Sequence, residues 1–341
     1  MTETRSIGRL TARQVDVVLE ITVLVVVASG IASLAVGTSW GRTLTAVHGI
    51  GGLTILALAP AKARGSVRTG LKRRRVTRWL SLVLAALVLL TIALGVAHST
   101  GLWFGVGYWS PLWTHVLAAF VLLGIFAWHV LSRRDRPKVA DLDRRAVLRV
   151  GGVVAVASAT YGLQELATRV LGSAGGDRRF TGSHEVASFD PARLPTVSWI
   201  DDTAPSSTSA DDWRLDIGGE EVPIDMLRSL VRPVEAAIDC TGGWWSRQSW
   251  DAVPLTELLD GQRARSIQVT STTGYTRLFP FGDAADLYLA VGYGGEPLRR
   301  SHGAPVRLVA PGRRGPWWVK WVQSVDLADR PWWLQLPFPL D

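Results

Sequence analysis

Residues 240–259 read C-T-G-G-W-W-S-R-Q-S-W-D-A-V-P-L-T-E-L-L. The preceding V-E-A-A-I-D (234–239) has the alternation of a strand, so Cys240 falls at a predicted strand end and opens a Gly-Gly turn flanked by tryptophans. A lone cysteine is more often a small buried hydrophobe than a ligand. Loops at strand ends commonly carry function, which favours a chemical role here. Cys240 is the single cysteine of the chain, so it has no intrachain disulfide partner and any special role must be that of a thiolate.

The same pattern continues on both sides of this stretch. W-R-L-D-I-G-G-E (213–220), S-I-Q-V-T-S (266–271), D-L-Y-L-A-V-G-Y (286–293), V-R-L-V-A-P-G (306–312) and W-V-K-W-V-Q-S-V (318–325) predict further strands bounded by Gly, Pro and Asp. P-I-D-M-L-R-S-L (223–230) and L-T-E-L-L (255–259) predict short helices. Residues 177–341 therefore read as one α+β domain, mostly β, large enough to bury its own core.

Upstream the composition changes. The chain has 341 residues, 48% of them hydrophobic, with mean hydropathy +0.19, which is too apolar for an ordinary soluble enzyme. Residues 1–176 carry 20 Lys and Arg against 7 Asp and Glu, while 177–341 carry 17 against 22. The basic excess lies between apolar runs, where it orients membrane helices, so nucleic acid is not the expected partner. Collagen-like, disulfide-rich and disordered classes are excluded as well.

Four apolar runs, Val15 to Gly37, Leu44 to Ala61, Trp79 to His98 and Leu112 to Leu131, each approach the ~20 residues of a bilayer span. A fifth, Ala146 to Leu163, is shorter and richer in small residues. The loop after the second run holds Lys62, Arg64, Arg68, Lys72, Arg73, Arg74, Arg75 and Arg78, and the loop after the third has no charge. Positive loops stay cytoplasmic, which puts the amino terminus with Arg5, Arg9 and Arg13 inside and everything after Leu171 outside. Trp103, Tyr108, Trp109 and Trp113 mark the outer boundary. No cleavable signal peptide is expected. The expected organisation is a four-helix transmembrane domain at 1–135, a cytoplasmic loop and fifth helix at 136–176, and an extracytoplasmic domain at 177–341 in the cell membrane. D-R-R-A-V-L-R (143–149), followed by a small apolar run, resembles a twin-arginine export signal at Arg144 and Arg145, against the plainer reading of a positive flank.

Intramembrane histidines are costly and read as functional by default. His48 and His115 each lie about four residues inside the outer boundary, so they can meet at one depth and hold one b-type heme. His98 is a competing ligand. His129 lies 14 residues beyond His115, about 21 Å along the helix, without a histidine at its depth. The arrangement resembles four-helix b-type cytochrome domains. The plainer alternative is a set of interhelical hydrogen-bonding histidines in an anchor.

The Cys240 stretch resembles the molybdenum-binding segment of the sulfite oxidase family of molybdopterin enzymes. S-H-G-A-P-V-R-L-V-A-P-G-R-R-G-P-W-W-V-K-W-V (301–322) resembles its pterin-binding segment, and F-T-G-S-H (180–184) and G-Y-G-G-E-P-L (292–298) also fit. This resemblance implies that Cys240 ligates molybdenum, that His302 and Arg307 contact the pterin and its phosphate, and that Trp318, Val319 and Lys320 bind the same cofactor. It further implies cofactor contacts from Ser183 and His184 and, less closely, from Ser271 and Thr272. Two departures from the family pattern stand out. Sulfite oxidases place an arginine soon after the cysteine, where this chain has Trp244 and Trp245. C-x-x-G-W resembles instead the periplasmic branch that reduces sulfoxides with electrons from a heme-bearing membrane protein. The chain also ends before the family's carboxy-terminal dimerisation domain.

The expectation is a membrane-bound molybdopterin oxidoreductase that reduces an S-oxide or N-oxide with electrons from the quinone pool through heme b or a redox partner protein. Trp244, Trp245 and Arg247 would line its substrate pocket. The alternatives are oxidation of sulfite or another small anion, with electrons passed to the membrane, and a non-catalytic ligand-binding module on a membrane anchor.

Overall fold

The computed structural model describes residues 10–63, 77–103, 109–132, 138–197, 204–205, 213–259 and 262–336. The basic residues Arg64 to Arg75, the amino-terminal Arg5 and Arg9, and Tyr108 lie outside these. The chain divides into two compact units, one of residues 1–30 and 42–177, the other of residues 31–41 and 178–341.

The first unit is helical. Its helices are α1 (Ala12–Ser33), α2 (Gly41–Lys62), α3 (Thr77–Thr100), α4 (Pro111–Leu131) and α5 (Arg144–Val170), with the last residues of α1 and the first of α2 assigned to the second unit. By length and composition, all five are apolar enough to cross a membrane. Local chemistry sets several ends. The Ser110 hydroxyl accepts from Trp113 N with Pro111 at the first helical position, and the Asp143 carboxylate accepts from Ala146 N at 2.7 Å. Arg144 and Arg145 therefore open α5 itself, which is longer than the apolar run alone suggests. Lys62 pairs with Asp16 at 2.5 Å, tying the end of α2 to the first turns of α1.

The second unit is built on two sheets. In one the order is β1 (His184–Glu185), β5 (Trp244–Pro254), β8 (Tyr288–Tyr293) and β10 (Arg307–Val309), with β4 (Arg232–Asp239) also on β5 and β9 (Glu296–Pro297) on β8. The other runs β3 (Glu220–Pro223), β2 (Arg214–Ile217), β11 (Val322–Ala328), β6 (Ser266–Ser271), β7 (Thr276–Pro280). Two short helices, α6 (Ile224–Leu230) and α7 (Leu255–Leu258), follow β3 and β5. Inward-facing Leu215, Ile267, Val269, Leu289 and Leu308 are fully buried and form the core with Trp250.

Two expectations change. The tryptophan-rich stretch after the Gly-Gly turn is an 11-residue strand, β5, antiparallel to β4 with Asp239 opposite Trp245. Residues 318–321 are not strand. A 3-10 turn at Gly315–Trp317 and a positive φ of 50° at Trp321 delay β11 to Val322. Residues 31–41 join the second unit because Gly37 N donates to Gly312 O at 3.1 Å and Val36 bridges Arg313 in antiparallel fashion.

Candidate functional site

The turn joining β4 to β5 presents Cys240. Cys240 N donates to Trp244 O at 2.8 Å and Gly243 N donates back to Cys240 O at 3.1 Å, a closure that requires the φ of 92° at Gly243. The thiol is buried, and its sulfur accepts from Gly242 N at 3.3 Å. Burial pushes it up to about 11, against the opposing pull of that hydrogen bond and of Arg314. A cationic group bound at the sulfur would lower it again and hold the thiolate.

Cys240 opens onto a cleft. Tyr275, Trp244, His302, Arg307, Trp318, Val319 and Lys320 share its wall. Among the described residues Arg307 and Lys320 line it and no carboxylate does. Arg307 is 2% exposed. It donates to His302 O at 3.0 Å and Trp318 O at 3.4 Å, and lies over the Trp250 and Trp318 rings at 5.0 and 5.6 Å. Among the described residues its Nε has no partner and no carboxylate pairs with it, and burial pulls the guanidinium down to about 10. A buried cation without a counter-ion is costly, so this site is made for an anion. Phosphate suits a guanidinium fork.

His302 is held by its neighbours. Its Nε2 donates to Leu194 O at 3.1 Å and meets Thr196 Oγ1 at 2.9 Å, which leaves Nδ1 to accept from the Tyr293 hydroxyl at 2.9 Å. Burial, reinforced by Arg307, brings this imidazole down to about 4, so it is neutral at physiological pH. Gly303 permits the close approach of the β10 segment, since a Cβ there would sit 3.0 Å from Arg307 Cβ and 3.1 Å from Lys320 Cα.

The structure thus brings Cys240, His302, Arg307, Trp318, Val319, Lys320 and Trp244 to one cleft. Other candidates lie elsewhere. Ser183 donates to the Asp239 carboxylate at 2.7 Å, and His184 pairs with Trp244 in β1, so both support the Cys240 turn from behind. Ser271 accepts from Thr273 N, and the Thr272 backbone donates to Trp321 O. The Thr272 hydroxyl is buried without a partner among the described residues. Trp245 and Arg247 do not line the cleft. Alternation along β5 puts them on the face opposite Ser246 and Gln248, with Arg247 exposed and the Trp245 ring 5.6 Å from the Arg179 guanidinium. Tyr275 and Thr196 were not expected at the cleft.

These are the parts of a site that could take an anionic group beside one thiol. Residues 202–333 match the family model described as oxidoreductase molybdopterin binding domain. The second unit carries a molybdopterin-binding oxidoreductase domain. No curated protein matches the chain. Among solved structures, the sulfane dehydrogenase SoxCD from Paracoccus pantotrophus is similar at 26% identity and a TM-score of 0.35 over 41% of this chain; the chain covers 46% of that structure, less than half its length. The molybdopterin-binding domain supplies one soft sulfur, and no group of three or more metal-ligating side chains occurs among the described residues.

A second candidate centre lies within the first unit. The rings of His48 (α2) and His115 (α4) are 5.8 Å apart between centroids, at 70°. His48 Nδ1 bonds Val26 O at 2.9 Å and His115 Nδ1 bonds Thr91 O at 2.7 Å. A carbonyl only accepts, so each Nδ1 carries the hydrogen and each Nε2 keeps its lone pair. Each Nε2 would be able to hold a metal, with its ring oriented through the carbonyl partner of the opposite ring nitrogen. Gly30 and Gly95 are packed on these rings, where a Cβ would lie 3.1 and 3.3 Å from His48 Cε1 and His115 Cε1. His98, near the end of α3, and His129, at the far end of α4, are not the rings brought together here.

Proposed function

We propose that the chain is a membrane-embedded oxidoreductase that binds a molybdenum–pterin cofactor at Cys240 and reduces an S-oxide or N-oxide with electrons from quinol. In the net reaction a sulfoxide gives up its oxygen atom and a quinol two hydrogens, leaving a thioether, a quinone and one water, so atoms and electrons balance. The observation that carries the cofactor reading is Arg307, a buried guanidinium without a counter-ion among the described residues, in the cleft that also holds the Cys240 thiol. His302, neutral and oriented by Tyr293 and Leu194, would contact the pterin, and Arg307 with Lys320 would take its phosphate. When bound, the cofactor supplies two-electron exchange of an oxygen atom.

A neutral oxide is favoured over a small anion because the residues after the cysteine that line the cleft are the uncharged Thr241 and Trp244, while Arg247 lies outside it. An indole wall excludes water from a neutral substrate and offers no charge to an anion. His48 and His115 would hold a b-type heme, which when bound supplies one-electron exchange to the quinone pool or a redox partner protein. The amino terminus would be cytoplasmic and the molybdopterin-binding domain extracytoplasmic, as the distribution of basic residues supports.

Metal and pterin analysis of the purified full chain tests this reading, with a reduced-minus-oxidised spectrum for the heme. About one molybdenum per chain is expected, as one thiolate supports one centre. Cys240→Ser should lose the metal and sulfoxide reduction with the thermal unfolding midpoint preserved. Full activity in that variant overturns the assignment.

A further inference from the structure

Behind the Cys240 turn lies a buried charged cluster that the cofactor does not explain. Arg314 is 3% exposed and Asp239 1%. The Arg314 guanidinium donates to Cys240 O at 2.9 Å, approaches the Asp239 carboxylate at 3.3 Å, and donates to Ser33 O at 3.3 Å. Thr181 and Ser183 donate to the same carboxylate at 2.5 and 2.7 Å. Ser33 is the last residue of α1, so its carbonyl lies at the helix end. One side chain therefore binds a helix end and holds the backbone of the cysteine.

We propose that Arg314 is a positioning residue for Cys240, and that through it the loop between α1 and α2 forms part of the support of the cysteine. The inference rests on Cys240 being the functional thiol. Three strands of geometry carry it. The guanidinium has the planar fork needed for several acceptors at once, which an ammonium lacks. Its charge faces the Asp239 carboxylate, which Arg179 also approaches at 3.7 Å, so the guanidinium is held on the cysteine's own strand end. The loop is locked to the adjoining segment by Gly37 N donating to Gly312 O, a contact with no room for a side chain: a Cβ at Gly37 would lie 2.7 Å from Gly312 O and 2.8 Å from Arg313 C. Moving the loop must therefore displace the segment carrying Arg314.

The test uses the full chain purified from cells that make no molybdenum cofactor, with Arg314→Lys, Arg314→Met, Gly37→Ala and the Gly37→Ala/Arg314→Met pair. The sole cysteine makes maleimide labelling at one fixed pH report Cys240 alone. Hydrogen exchange of residues 239–244 reports its backbone. Exchange at 239–244 should rise about fivefold or more in Arg314→Met and Gly37→Ala and less in Arg314→Lys, with β6 and β7 amides unchanged, and labelling should rise in Gly37→Ala, which keeps the Arg314 charge beside the thiol. The double variant should not exceed the larger single effect, because both act along one path. Unchanged rates at 239–244 in Arg314→Met or in Gly37→Ala overturn the proposal. So does faster exchange spread evenly through the second unit in Arg314→Lys, which marks general destabilisation. Absence of molybdenum from the wild-type holoprotein would sink the cofactor reading while leaving these arms intact.

Discussion

Arg307 donates to the backbone carbonyl of His302 at 3.0 Å, so the buried cation of the cleft is anchored to the residue beside it by a neutral group rather than by a carboxylate. A neutral acceptor fixes the fork in place without cancelling its charge. The positive field is thereby kept for an incoming anion, which the phosphate of the proposed cofactor would supply.

Replacing Arg307 by Met should reduce molybdenum and pterin content at least tenfold, since charge-assisted bonds to a buried phosphate are worth about 1.5–3 kcal/mol each. Arg307→Lys should retain an intermediate amount, because an ammonium keeps the charge and loses the fork. Cofactor content by metal analysis checks both. Wild-type content in Arg307→Met would show that the anion is held elsewhere.

The neutral His302 gives the fold a pH dependence whose sign is set. Its folded value near 4 lies below the ordinary imidazole value, so it contributes stability that is fully present above about pH 6.5 and lost as pH falls toward 4. Protonation would also oblige Nδ1 to donate, against the Tyr293 hydroxyl that now donates to it. The thermal midpoint of the cofactor-free chain should fall between pH 6.5 and 4, and His302→Gln should flatten that decline. Parallel curves would assign the pH dependence to other groups.

The end of β4 and the Cys240 turn are legible in the sequence because alternation and Gly-Gly pairs are local signals. Trp245 and Arg247 were misplaced by treating neighbours in sequence as neighbours in space. The period of two along β5 separates Trp244 from Trp245, a rule the sequence already contained once that stretch is taken as strand. The union of residues 31–41 with the second unit was illegible. It depends on backbone bonds such as Gly37 to Gly312, which no residue type announces. Arg314 and Asp239 were hidden for a related reason: each looks like an ordinary solvated charge until a partner 75 residues away is brought beside it.

Arg144 and Arg145 open α5 behind the Asp143 cap, so their charges flank the apolar helix in either reading. Changing both to Lys keeps the charge and the positive-inside bias, while a receptor that reads arginine should no longer export the folded domain. Protease accessibility of the molybdopterin-binding domain in intact cells distinguishes the two. Normal exposure in the double-lysine variant would reduce the pair to a topogenic flank.

The glycines on the histidine rings offer a sharper test of the proposed heme than the ligands themselves. Removing His48 or His115 should abolish a b-type spectrum, and removing His129 should leave it, but loss of a ligand is a coarse result. At Gly30 and Gly95 even a methyl group would press on an imidazole at 3.1 and 3.3 Å, tighter than an ordinary van der Waals contact. The ring must then turn about its Nδ1 bond to Val26 or Thr91. Orientation set by such carbonyl partners tunes a bound metal, and disturbing it typically costs about 10–100-fold in affinity or activity. Gly30→Ala and Gly95→Ala should therefore keep both histidines yet shift the heme spectrum or lower its occupancy, and Gly124→Ala, on the same helix as His115 but open to space, should do neither. Identical spectra in all three variants would mean that these rings do not hold the iron.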